Sequence, residues 1–132
     1  MNKSPLAIGI DFGTSGVRLA VINREKKLIY TSQQKYKHCL EESKDWEECL
    51  IGLISNIPSN FKKDLTTLAL DGTSGTILAC QQNGLPISKA LPYYLSCSEQ
   101  SSKIKEILKN DKIELGTDSS LARALRLYDT YG

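Results

Sequence analysis

Histidine, tryptophan and methionine occur once each in these 132 residues, and phenylalanine only twice. The four cysteines, Cys39, Cys49, Cys80 and Cys97, are widely spaced, and no C-x-x-C pair stands near the lone His38. That spacing argues against a zinc site, and at this length it does not describe a disulfide framework, so reduced thiols, most of them packing residues, are expected. No stretch approaches the roughly 18 consecutive apolar residues a membrane-spanning helix needs. The apolar run near the N-terminus stops at Asp11, too early for a signal peptide, and a soluble, cytoplasmic protein is expected. Charge of one sign is also scarce: a net +2 gives no reason to expect nucleic acid or an anionic membrane as partner. Internal repeats and low-complexity segments are missing. What remains is the composition of one globular domain, long enough to bury a core.

Against that plain background one stretch stands out, Ile8-Gly9-Ile10-Asp11-Phe12-Gly13-Thr14-Ser15-Gly16-Val17-Arg18. An apolar run ends in a carboxylate, a turn of glycines and hydroxyls follows, and a second apolar run leads away. Gly13 and Gly16 can take positive φ and admit a close backbone approach. Successive N–H groups in such a turn form a concave anion site, to which Thr14 and Ser15 add hydroxyl donors and Arg18 a permanent cation. Asp11 would repel a bare phosphate, so it points to a bridging Mg²⁺. The stretch is neither a Walker A loop nor G-x-G-x-x-G. Gly, Ser, Thr and Asp are equally the residues of an ordinary hairpin turn, and Arg18 equally one half of a surface ion pair.

Taken in order, the pattern predicts strands over Leu6–Asp11, Val17–Asn23 and Leu28–Lys37, an antiparallel three-stranded meander with Arg24–Lys27 as its second turn. A helix follows, with Trp46, Cys49, Leu50, Leu53, Ile54 and Ile57 on one face, an Asp45/Glu48 capping pair at its start and Pro58 at its end. Trp46 is read as core. Leu65–Leu70 reads as a strand buried on both faces. It runs into a second loop of carboxylate, glycines and hydroxyls, Asp71-Gly72-Thr73-Ser74-Gly75-Thr76. Thr76–Gln81 and Leu85–Ile87 then form a hairpin, with Asn83-Gly84 as a two-residue turn. Tyr93, Tyr94 and Cys97 lie in an irregular segment and are read as packing residues. Ser98–Asn110 is a weak amphipathic helix with Ile104, Ile107 and Leu108 inward. Gly116–Ser119 caps a last helix whose apolar face is Leu121, Ala124, Leu125 and Tyr128. If the first and fourth strands are parallel neighbours, both loops open on one crevice, where ligands of open α/β sheets gather.

With both loops in hand, the chain resembles the N-terminal part of a carbohydrate kinase of the FGGY family. IGIDFGTSGVR carries one half of the likeness and LALDGTSGTILACQQNGLPISKAL the other. The plant and cyanobacterial D-ribulokinase branch, once grouped with xylulokinases, is most similar. Its shared features are Trp46, Ile57-Pro58, Asp71–Thr76, Tyr93…Ser96-Cys97 and Ser119-Ser120-Leu121-Ala122-Arg123. The family's W/Y-N-D-x-R motif is replaced here by Tyr93-Tyr94-Leu95-Ser96-Cys97. The Met-His of xylulokinases is replaced by Thr73-Ser74, which speaks for D-ribulose over D-xylulose.

The resemblance implies an α/β fold: part of an actin-like ATPase (ribonuclease H-like) lobe, with a mixed sheet that starts with the meander and helices packed on it. It implies ATP and Mg²⁺ as cofactors and a pentulose as the small-molecule substrate. Asp11 would hold the metal, Gly13, Thr14, Ser15 and Arg18 the phosphates, and Asp71, Gly72, Thr73 and Ser74 the sugar. No catalytic base is assigned within the chain, because the family's Asp lies later in the first lobe and its adenosine site in the second. Residues 1–132 are thus expected to be an incomplete first lobe without kinase activity of its own. Its exposed apolar surface is expected to favour a homo-oligomer. A non-catalytic binding module, a kinase for another sugar or polyol, and a different actin-like ATPase are the competing readings.

Overall fold

The computed structural model describes residues 5–132, which divide into two compact units at the Thr73–Ser74 junction. The first unit carries four strands, β1 (Leu6–Phe12), β2 (Gly16–Ile22), β3 (Leu28–Lys35) and β4 (Leu65–Gly72), in the sheet order β3-β2-β1-β4. β1 to β3 form the expected antiparallel meander, and β4 joins β1 in parallel. Helix α1 (Ser43–Ser55) and the single-turn α2 (Ser59–Lys62) lie between β3 and β4.

Alternation along the strands decides what the sheet buries. Ile8, Ile10, Val17, Leu19 and Val21 face α1 and pack on Cys49, Leu53 and Ile57, in one cluster of nearly water-free side chains. Each fully buried aliphatic there contributes about 1.5–3 kcal/mol relative to exposure. The alternate positions, Gly9, Ala20 and Ala69, face away from α1 and are nearly flat.

Several expectations are corrected in this unit. β4 is not buried on both faces: Leu68 and Leu70 are 52% and 60% exposed. Register pairs them with Ile8 and Ile10, on the α1 side, but α1 packs mainly on β2 and β3, and a cavity opens between Ile54 and Leu68. Asp45 does not cap α1. Glu42 holds the N-cap position, and Asp45, in the first turn, is buried, accepting from the His38 main-chain N–H at 2.6 Å. The His38 ring Nδ1 stands 2.9 Å from its other oxygen. These bonds, the main-chain one first, lower the Asp45 pKa. Trp46 is half-buried, and its indole N–H donates to Leu40 O at 2.8 Å.

The second unit holds a 3₁₀ turn (Ser98–Gln100), α3 (Ser101–Ile107) and α4 (Ser120–Tyr131). Ser119 caps α4 as expected, its hydroxyl accepting from Ala122 N. Cys97, Ile104 and Ala122 form its small core, flanked by Leu95, Leu108, Leu121 and Leu125. The buried face of α4 is rotated from the expected one: Ala122 and Arg123 are inside, whereas Ala124 is exposed and Tyr128 is 73% exposed. Ile107 is likewise 52% exposed, not inward. The hairpin is short and forms no regular ladder: Gln81 N donates to Leu85 O and Ile87 N to Ala79 O around the Cys80↔Pro86 bridge, and Ile77↔Leu91 is a second bridge beyond it. Its turn is not the two-residue form. Gly84 N donates to Gln81 O, and only Gly84 takes positive φ, so a four-residue turn ends in a left-handed glycine. No helix among the described residues is long and apolar enough to cross a membrane.

Candidate functional site

Both carboxylates of the two loops stand at the ends of strands that are hydrogen-bonded neighbours. Asp11 and Asp71 are register partners across β1 and β4, one strand spacing apart, and both strands run in the same direction. The ladder continues past them: Phe12 pairs with Gly72, and Thr73 N donates to Phe12 O at 3.1 Å. Loop one (Asp11–Gly16) and the start of loop two (Asp71–Thr73) therefore leave the sheet together at the carboxyl ends of its parallel pair. Ser74 begins the second unit.

The first loop is tighter than its composition alone implies. Gly13 N donates to Gly16 O at 2.9 Å, and neither glycine takes positive φ. Gly16 is required for a different reason: a Cβ there would sit 2.3 Å from Gln34 O and 2.8 Å from Lys35 Cα, because β3 passes against it. Thr14 and Ser15 are exposed at the tip. Tyr36, at the end of β3, ties the loop down from both sides. Its hydroxyl donates to Gly13 O at 2.9 Å, and its N–H to Ser15 O at 3.1 Å. Burial, followed by the nearby Cys49, Asp11 and Asp45, raises the Tyr36 pKa to about 12, so the hydroxyl remains a donor through the physiological range. Sequence reading placed Tyr36 in a strand and gave no signal of this role.

Arg18, on β2, is cross-strand partner of Asp11, and its Nη1 lies 3.3 Å from the Asp11 carboxylate. Both side chains are well exposed, so the pair is a surface ion pair standing at the mouth of the loop. Asp11, Arg18 and Asp71 line a trough of about 770 Å³ on the sheet face away from α1, with Gly9, Ala20 and Ala69 also along it. Asp71 accepts from its neighbour Gly72 N at 2.8 Å. No group of three or more His, Cys, Asp or Glu able to hold a metal exists among the described residues. Mg²⁺ asks less: one carboxylate with waters and ligand phosphates suffices, and the half-exposed Asp11 carboxylate at the mouth of loop one fits that demand.

In the second unit Tyr93 and Tyr94 are exposed and pack edge-on against each other, ring centroids 5.1 Å apart. Cys97 is fully buried and burial raises its pKa, as its reading as a packing thiol requires. All four cysteines are free thiols.

Comparison with known proteins gives structural likeness without family-level sequence likeness. No family model matches the chain. Among solved structures it is similar to Plasmodium falciparum glycerol kinase with ADP, at TM-score 0.72 and 14% identity over 97% of this chain and 29% of that one. Xylulose kinase from Bifidobacterium adolescentis aligns at TM-score 0.66 and 17% identity over 87% of this chain and 23% of that one. Gluconate kinase from Lactobacillus acidophilus aligns at TM-score 0.61 and 13% identity, over 81% and 23% respectively. The chain thus spans about a quarter of the length of the structures it matches. Its mixed α/β fold, with a four-stranded sheet in the order β3-β2-β1-β4, is the fold of the part of these kinase structures that it aligns with.

Proposed function

We propose that this chain is the N-terminal part of the first lobe of an ATP-dependent kinase that phosphorylates the terminal hydroxyl of a pentulose, D-ribulose before D-xylulose. The observation that carries the reading is the register of Asp11 with Asp71, which supports two hydroxyl-and-glycine loops serving one crevice. Phosphoryl transfer demands positioning and charge neutralisation more than covalent chemistry. Asp11 holds Mg²⁺, which when bound offsets phosphate charge. The N–H groups of Thr14 and Ser15 and their two hydroxyls hold phosphate oxygens at the turn that Gly13 opens, its own N–H being engaged by Gly16 O, and Tyr36 keeps the loop in shape. Arg18 exchanges its ion pair with Asp11 for the developing charge on the phosphoryl group. Asp71, Gly72, Thr73 and Ser74 hydrogen-bond the sugar hydroxyls. The group that takes the proton from the reacting hydroxyl belongs, by the resemblance, to chain outside residues 1–132.

The deciding experiment is a screen of the complete encoded protein with ATP and Mg²⁺ over pentuloses, hexuloses, gluconate and glycerol. Turnover is expected, highest with D-ribulose. ATP hydrolysis that ignores every sugar would turn the reading toward another actin-like ATPase, and sugar binding without turnover toward a non-catalytic module. Residues 1–132 alone are expected to be inactive. They are also expected to self-associate in sedimentation, since the Leu68 and Leu70 side chains of β4 are exposed.

A further inference from the structure

Arg123, near the start of α4, is 2% exposed. A buried guanidinium is ordinarily matched by a carboxylate. Here four main-chain carbonyls accept from it. Nε donates to Gly75 O at 2.9 Å, and Nη1 lies 2.9 Å from Tyr93 O, 2.9 Å from Leu95 O and 2.8 Å from Asp118 O. The carbonyls come from three separate non-helical stretches: the exit of loop two, the crossing segment at 93–95, and the lead into α4. Nη1 has two hydrogens for three carbonyls, so one is shared, while Nε of the same rigid planar fork holds Gly75 O; a lysine, with its donors on a single atom, has no counterpart to that separate Nε bond.

Two further features show that the exit of loop two is shaped around this side chain. Gly75 takes φ +80, and a Cβ there would meet Arg123 Nη2 at 2.9 Å and Ser120 Oγ at 3.0 Å. The next residue, Thr76, accepts at Oγ1 from Tyr93 N at 3.2 Å, so loop and crossing segment are joined a second time beside the guanidinium. Regular structure contributes little: beyond these bonds, the stretch from 77 to 91 is held by isolated bridges rather than by a ladder.

We propose that Arg123 is a positioning residue for the loop that starts at Asp71. By fixing the Gly75 carbonyl and the 93–95 backbone to one rigid group, it presets the loop's exit, and so the presentation of Ser74, the residue before Gly75. This rests on the reading of that loop as the sugar site. Losing the fork therefore weakens capture of the sugar and leaves the nucleotide's contacts, made by loop one, as they were.

The test compares Arg123→Lys and Arg123→Met with the parent in the complete encoded protein. The expected result is a sugar KM raised about tenfold or more, with the ATP KM changed less than about twofold. Amide hydrogen exchange is expected to accelerate about tenfold at Gly75–Ile77 and Tyr93–Ser96, while β1 and β2 amides keep their rates. A lowered melting temperature with exchange raised uniformly and the sugar KM unchanged would overturn the proposal and leave Arg123 a fold-stabilising residue. Should both variants fail to fold, Gly75→Ala, which presses on the same guanidinium while keeping it, takes their place with the same readouts. A parent that phosphorylates no sugar would sink the kinase reading alone. The exchange pattern would then still decide for or against the fastening.

Discussion

Asp11 and Asp71 stand opposite each other on adjacent parallel strands, the last residues but one of β1 and β4. Sixty residues apart in sequence, they are brought within one strand spacing by the return of the chain through α1. Everything proposed for the protein's chemistry starts from that juxtaposition.

If Asp11 holds metal-bound phosphate, Asp11→Asn in the complete encoded protein lowers kcat/KM by at least about a hundredfold, as loss of a charge-organising group does. Folding should hardly notice. The Arg18 pair is exposed on both sides, so stability changes by less than about 1 kcal/mol. Steady-state kinetics beside urea unfolding separates the two effects. Turnover equal to that of the parent would remove Asp11 from the site.

Tyr36→Phe removes the bond to Gly13 O and is expected to cost about 1 kcal/mol in urea unfolding. The pH dependence has a definite sign. With the Tyr36 pKa at about 12 in the folded chain and 10.0 as its ordinary value, its contribution is complete below about pH 10. It is lost as pH rises from there through 12. The Phe variant should lack that alkaline loss, which stability measured between pH 8 and 12 would show.

Asp45 tests the acid limb. Its pKa is lowered by the His38 main-chain bond and then by the His38 ring, so its contribution is present above the ordinary carboxylate pKa and fades as pH falls through the lowered one. Melting temperatures of Asp45→Asn and parent should differ at neutral pH and converge in acid. Parallel curves down to pH 3 would contradict the assignment.

Gly16→Ala should destabilise by about 1–3 kcal/mol, the range for an overpacked site, because the neighbours its Cβ meets are backbone atoms of β3 that cannot rotate away. Gly9→Ala, with open space around it, makes the control. Equal unfolding midpoints for the two variants would refute the close-approach argument.

Thiol labelling reads the two cores separately. Cys39 and Cys80 are exposed, whereas Cys49 and Cys97 are buried with their pKa values raised by burial. Two thiols should react with an aromatic disulfide reagent in native buffer, and the other two only on unfolding.

The amino-acid order by itself determined the elements whose signal is local. Alternation in Ile8–Ile10 and Val17–Val21, the 3.6 period through Cys49, Leu53 and Ile57, and Ser119 ahead of an apolar run each name a strand, a helix or a cap without help from distant chain. The order of motifs also carried the likeness that the kinase folds later bore out at the level of architecture. Tertiary structure alone decided which of those faces found a partner. Leu68 and Leu70 carry the pattern of a buried strand, yet α1, packed mainly on β2 and β3, leaves them more than half exposed; Arg123 and Ala122 took the inner face of α4 in place of Ala124 and Tyr128. Periodicity states which side chains share a face, but burial depends on what the rest of the chain lays over it. For the same reason Tyr36 under Gly13, β3 against Gly16 and Asp11 beside Asp71 exist only once distant segments are brought together. Each is a contact between residues that no local spacing relates.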